Sequence, residues 1–482
     1  MFDRLDNPPQ VSVDSFQPVG GAPQPAPIER PTDPVQAVAF GLGLVLLFLR
    51  TSMLHEIQTA TMGINLRLLY IFGLPALLGV VLAGGIQRCL RCRTAWYWMG
   101  FAVCMALSVP TSVWKMGSAI LFLTYVRVDL IMLFVIGGLV LTWGECKLMM
   151  RAIAGAAVVN LLASRLLIRE QGFNGRLGLQ FGLISNPNDF AGHLLLVLPF
   201  LLWVAQSTRS IVLRLLALAG VVFGIYTIMR TASRGALVAL VLAALFILWR
   251  GTAPQRIGLL ASAVVLIPVL VIALPKEMQR IIRFSGNDTS ASGEARESSL
   301  NRQFLLRKSV EFTLRYPIFG VGAGQFGWAE GVEDRIGGTT HGFWLQTHNS
   351  YMQAASECGI PAFLLFTGGI VSTFLLLSST WRQARRRPDC EDIAAACFFA
   401  MLAMVAFCAA IFFLNFAYFF YLPALAGLAI ALDRTARQEF SSRAARALEP
   451  QQPSWGAPLP GFYTGAGRVS PGLAWTARQT AL

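Results

Sequence analysis

The sequence predicts an all-α integral membrane protein of about twelve transmembrane helices with one large, partly helical loop on the outer side. Three observations carry this. Only 13% of the 482 residues are charged and 55% are hydrophobic, with a mean hydropathy of +0.58. A soluble domain carries about a quarter charged residues, so this chain lacks the polar surface to cover a globule and lipid must be its main solvent. The apolar residues are gathered into runs near span length. Finally, Lys and Arg cluster in alternate connections between those runs.

The predicted spans are Val35–Ser52, Leu66–Gly85, Ala95–Val109, Val128–Trp143, Leu148–Ile168 and Phe190–Ala205, then Ile211–Met229, Gly235–Trp249, Ile257–Leu274, Ile360–Ser378, Ile393–Leu414 and Phe416–Leu432. Several are short for about 20 residues and must extend into their flanks. Val113–Arg127 fits a loop, a re-entrant piece or the start of the fourth span. One set of alternate loops holds Arg88, Arg91 and Arg93; Lys147 and Arg151; Arg209 and Arg214; Arg250 and Arg256; and Arg382, Arg385, Arg386 and Arg387. The C-terminal tail adds Arg434, Arg437, Arg443 and Arg446. By the positive-inside rule these loops and both termini are cytoplasmic. The expected organisation is a disordered tail 1–34, spans one to nine over 35–274, an outer loop 275–356, spans ten to twelve over 357–432, and a disordered tail 433–482. Arg165, Arg169, Arg176, Arg230 and Arg234 fall on the outer side against the rule, which asks for a functional explanation.

A net charge of +14 could signal nucleic-acid binding, but the basic residues lie between apolar runs and encode topology instead. None of the eight cysteines lies in the outer loop, so no disulfide framework is expected. Cys89 and Cys92 form a lone Cys-x-x-Cys without a second pair at metal spacing. No early apolar run marks a cleavable signal peptide.

A loop of roughly eighty residues is far longer than ordinary connections and is expected to be functional or disordered. Ser285–Ser299 is rich in Ser, Gly, Asn and Glu and fits a mobile stretch. Leu300–Leu314 reads as a helix, ended by Tyr316-Pro317 because proline disfavours a helical residue before it. Gly320, Gly322, Gly324 and Gly327 then permit tight turns, and His341 to Tyr351 leads into the tenth span.

Four pieces along the chain resemble the O-antigen ligase and polysaccharide polymerase superfamily, in that family's order. They are Asn186-Pro-Asn-Asp189-Phe190; Thr231-Ala-Ser-Arg234-Gly235; Asn301-Arg302 with the helix running to Tyr316-Pro317 and Gly320-Val-Gly322; and His348-Asn349-Ser350-Tyr351 followed by Glu357-Cys-Gly359-Ile360. Each is weak alone; together they cover about residues 35–432. The resemblance implies an inverting, metal-independent glycosyltransferase of the bacterial inner membrane, with its large loop in the periplasm. It implies a polyprenyl-pyrophosphate-linked glycan as donor and a sugar hydroxyl as acceptor, on lipid A core or on another lipid-linked glycan. It implies no cofactor and no nucleic acid, and its partners are these substrates and membrane lipids.

The residues suit that chemistry. His348 can accept a proton near neutrality. Arg234 and Arg302 match the motifs and can fork onto phosphate oxygens. Arg230, one turn before Arg234 if this stretch is helical, can assist. Asn349, Tyr351, Asn188 and Asp189 are candidate substrate contacts, and Asp129 also lies near an outer end. Plainer readings stand beside these. His348 could pack the loop, Arg234 could snorkel, Arg302 could be a solvated helix charge, and Asp189 could cap a helix. His341 could pair with His348 on a metal, though no third ligand is evident. Trp328, Trp344 and Tyr351 could stack on sugars or belong to an interfacial belt. The nearest rival function is an exopolysaccharide, capsule or O-antigen polymerase of the same superfamily. A flippase or transporter would carry charged residues in its span cores, which are sparse here, and a non-catalytic scaffold or sensor has no use for the His and Arg motifs.

Overall fold

The computed structural model describes residues 33–167, 176–179, 182, 184–274, 290–336 and 345–448. These residues are helical nearly throughout. The elements are α1 (Pro34–Thr51), α2 (Leu54–Met62), α3 (Leu68–Leu82), α4 (Gly85–Leu90), α5 (Arg93–Ser108), α6 (Lys115–Thr124), α7 (Ile131–Leu139), α8 (Trp143–Leu166) and α9 (Pro187–Ser207). They continue with α10 (Ile211–Arg230), α11 (Arg234–Arg250), α12 (Ala253–Ala273), α13 (Ser290–Arg315), α14 (Phe326–Ile336), α15 (Ser350–Arg385), α16 (Glu391–Ala410) and α17 (Tyr421–Leu448).

A helix runs through each apolar segment. Among the described residues eight helical stretches are long and apolar enough to cross a membrane. By that measure α3, α5 and α11 are too short, at 15, 16 and 17 residues. Apolar side chains face outward across the bundle, as lipid-facing helices require. On α12 no residue is buried, and Val264 and Ile272 are 75% and 80% exposed. The centre is formed by α9, α16 and the first part of α17, up to Leu432, whose faces are buried almost all round.

Of the three readings of 113–127, the structure fits the start of the fourth span: α6 starts at Lys115 and joins α7 through a π-helical turn, Tyr125–Leu130, giving one candidate span of 25 residues. Two expectations need correction. The loop helix α13 begins at Ser290, before the expected Leu300, so part of the stretch expected to be mobile is helical. The last helix continues past Asp433 to Leu448. Its polar half is held by ion pairs one turn apart, Arg437 with Asp433 and Arg443 with Glu439, by Arg443 reaching Asp392 at 2.9 Å, and by burial of Ala436 and Phe440. Such pairs support a helix that composition alone would call loose. The tails 1–32 and 449–482 lie outside the described residues. All eight cysteines are free thiols.

Candidate active site

A cavity of about 510 Å³ opens where α1, the π-turn, the start of α9, the residues before α15 and the α16–α17 connection meet. His348, Asn188 and Asp189 line it, so two of the four motif pieces converge there.

His348 is set by its neighbours. Its backbone takes φ +49°, a left-handed conformation uncommon for a residue with a side chain. Such strain persists only where the surroundings over-determine it, and here they do. The Thr347 hydroxyl lies 3.0 Å from Asn415 Oδ1. The Asn349 side chain caps α15 by accepting from the Tyr351 and Met352 amides at 3.0 and 3.2 Å. The Ser350 hydroxyl donates to the Leu414 carbonyl and accepts from the Phe416 amide, each at 2.7 Å. Burial, and secondarily the Arg302 charge, push the His348 imidazole down from 6.5 to about 4, so it is neutral at pH 7 and able to accept a proton.

Arg302, on α13, is in electrostatic reach of Asp189, Arg234 and His348. Burial and the Arg234 charge hold its guanidinium below the usual arginine value, while Asp189 opposes them. Arg234 opens α11, whose first turn is capped by Ser233 accepting from the Ala236 amide. Arg230 and Arg234 do not share a helical turn: Ala232, at φ +48°, separates α10 from α11. The corner is instead clamped by Arg176, which donates to the Thr231 carbonyl and to Asn188 Oδ1, both at 2.8 Å, while the Leu177 amide bonds the Arg230 carbonyl. This gives Arg176 a positioning task that topology did not explain.

Some candidates serve the scaffold. Asn349 caps α15, and the Tyr351 hydroxyl donates to the Cys408 carbonyl at 3.1 Å; neither lines the cavity. Asp189 does not cap α9; Asn186 does, accepting from the Asn188 amide at 2.9 Å, with Pro187 in the first turn. Trp328 packs on Trp114 with ring centroids 5.7 Å apart. His341 and Trp344 lie outside the described residues.

The glycine-rich segment forms a wall beside the cavity. The Gly322 amide bonds the Glu357 carbonyl, and Val321 exchanges backbone bonds with Ser356 and Val113. A Cβ at Gly322, which has φ +108°, would stand 2.0 Å from Ser112 Oγ. Gly359, at φ +88°, breaks α15 so that the Ile360 amide reaches the Pro317 carbonyl. The fully buried Glu357 latches the segment, accepting from the Gly324 amide at 2.8 Å and the Phe326 amide at 3.3 Å, with Tyr418 and Gln353 as further partners. Sequence reading placed Glu357 in a motif but gave it no task.

Sequence reading missed Arg50 altogether. At the end of α1, only 6% exposed, Arg50 lines the cavity and donates to Asp129 at 2.6 Å. Its one signal was a lone charge ending an otherwise apolar run.

Apolar helices long enough to cross a membrane, with a polar cavity lined by Arg50, Asp129, Asp189 and His348, define an integral membrane α protein. Residues 219–367 match the family model described as O-antigen ligase, and this stretch supports the resemblance of the chain to the O-antigen ligase superfamily. The match includes Arg230, Arg234, Arg302, His348 and Glu357, and leaves Arg50, Asp129 and Asp189 outside. The family implies a glycosyltransferase-like enzyme of the ligase or polymerase kind. None of the curated proteins matches the chain.

Proposed function

We propose that the protein is an O-antigen ligase-type, inverting glycosyltransferase that acts at the outer face of the inner membrane and needs no metal. In this reading the donor is a glycan on polyprenyl pyrophosphate and the acceptor is a sugar hydroxyl, on lipid A core or a similar glycan. Arg302 and Arg234 bind the pyrophosphate, with Arg230 at the same corner, and Asp189 holds Arg302 in place. His348 takes the proton from the acceptor hydroxyl as its oxygen attacks the anomeric carbon from the face opposite the pyrophosphate. The bond from that carbon to the phosphate oxygen breaks, and the pyrophosphate leaves with the electron pair. The arginines stabilise the charge that collects there. A pyrophosphate leaves readily, so no protein acid is required.

The observation that carries this reading is the convergence of His348 and Asp189 on one cavity, with Arg302 coupled to both and to Arg234. The test is glycan transfer by protein in lipid nanodiscs. The donor is the lipid-linked glycan that accumulates in a strain lacking this chain. His348→Ala at matched abundance should lose about 10²- to 10⁴-fold in rate and still bind donor. Full activity in that variant would remove His348 from the chemistry.

A further inference from the structure

The charged groups in and beside the cavity fall into two sets. One set is Asp189, which lines the cavity, with Arg302 in electrostatic reach of it and of Arg234. The other is Arg50 with Asp129, a pair of no net charge. Arg50 uses one guanidinium nitrogen on Asp129, and its plane lies over Phe420 at 4.4 Å; among the described residues its other N–H groups make no hydrogen bond. Asp129 accepts also from the Phe420 amide. It projects from the π-helical turn Tyr125–Leu130, an irregularity that often marks functional positions in otherwise regular helices. A straight α-helix would turn the next residues through a different angle, and the π-turn sets Asp129 against Arg50 across 79 residues of chain.

The Gln346 amide lines the same cavity, and its carbonyl oxygen is buried with no hydrogen-bond partner among the described residues. Phe416 and Phe419 supply an apolar wall. Fixed donors and acceptors of no net charge beside aromatic rings match a sugar ring, which has hydroxyls at its rim and an apolar face. They match a phosphate poorly, because Asp129 would repel it. The volume is within the range of small-ligand sites, ~300–1,000 Å³.

We infer that Arg50, Asp129 and Gln346 form a neutral sugar subsite that grips ring hydroxyls next to the reacting bond, separate from the arginines that hold pyrophosphate. This rests on the transfer reading above. The hydroxyls belong to the first sugar of the donor or to the acceptor sugar, and the test separates the two.

Removing one partner of a buried ion pair leaves an uncompensated charge and can unfold a protein. Gln346→Ala therefore carries the test, with Asp129→Asn as a second variant. Wild type and variants in nanodiscs are titrated with sugar-free undecaprenyl pyrophosphate and with the lipid-linked glycan from the deletion strain, and the acceptor KM is measured. If the subsite takes the donor sugar, Gln346→Ala weakens the glycosylated lipid about tenfold and leaves the sugar-free lipid unchanged. If it takes the acceptor sugar, both lipids bind as in wild type and the acceptor KM rises about tenfold. Equal weakening of both lipids would put these residues in the anion site and overturn the subsite. So would unchanged binding and KM in both variants, which leaves the transfer reading standing. A wild type that prefers the glycosylated lipid, loses that preference in Gln346→Ala, and yet transfers no glycan supports the subsite and overturns the reaction.

Discussion

If His348 is the base, the acid limb of its activity should lie unusually low and should move when Arg302 is neutralised. Burial comes first and the Arg302 charge second in holding the imidazole near 4 instead of 6.5. At 1.36 kcal/mol for each tenfold change, that difference corresponds to about 3 kcal/mol against the imidazolium. The profile of kcat/KM reports the free enzyme, so its acid limb should fall well below 6.5. Arg302→Gln removes only the charge and leaves the burial, so the limb should rise but stay short of 6.5. Stability has its own sign. His348 has a depressed value in the folded state, so its neutral form contributes stability in full above pH 6.5, and that contribution is lost as pH falls toward 4. The assay is initial-rate glycan transfer from pH 3.5 to 8 in nanodiscs, with thermal unfolding followed at each pH to separate inactivation from titration. A wild-type acid limb at 6.5 or above that Arg302→Gln does not shift would refute a buried, neutral base beside Arg302.

Other consequences are simpler to read. Arg234→Lys should cut donor affinity at least tenfold, because a point charge cannot reproduce the guanidinium fork; Arg307→Ala, on an exposed part of α13, should be nearly silent in the same binding assay. Glu357→Ala strands the buried Phe326 amide at about 1–3 kcal/mol and removes the acceptor of the half-buried Gly324 amide, so thermal unfolding in detergent should show a clear drop, with Glu357→Gln recovering part of it. An equal Tm in the alanine variant would mean the latch carries no stability. Gln303→Cys on α13 should react with a membrane-impermeant maleimide in intact spheroplasts; protection there, with labelling of Arg385→Cys instead, would invert the orientation.

Much of the bundle was legible because lipid imposes a coarse rule that composition obeys. The runs that became α1, α9, α10 and α12 could be read from hydropathy, and the loop helix ends before Pro317 as the sequence says it should. The motifs named Asp189 and His348, which line one cavity, but not the caps beside them: Asn186, Ser233 and Asn349 cap α9, α11 and α15, where the sequence offered Asp189 as a cap and Asn349 as a substrate contact. What escaped notice depends on partners far apart in sequence. Arg50 is only a lone charge ending an apolar run until Asp129 is beside it, and the π-turn that brings Asp129 there has no pattern in a six-residue window. Arg230 and Arg234 look like helical neighbours because spacing cannot reveal the left-handed Ala232 between them. The helical end of α17 was hidden because its ion pairs include Asp392, on a different helix.

The low basicity of His348 has a mechanistic consequence on the proposed assignment. A buried imidazole beside a guanidinium that Asp189 only partly offsets is a weak proton acceptor, with little driving force to deprotonate a sugar hydroxyl. A pyrophosphate seated on Arg302 and Arg234 brings negative charge to the same place and reverses the field at the ring. The base is therefore weak in the empty site and stronger in the donor-loaded site, so deprotonation of the acceptor is tied to the presence of the leaving group it serves. The acid limb of kcat, which reports the loaded enzyme, should then lie above that of kcat/KM. Coincident limbs in the wild type would mean that the donor charge does not reach His348, and that the arginines and the base act on different parts of the substrate.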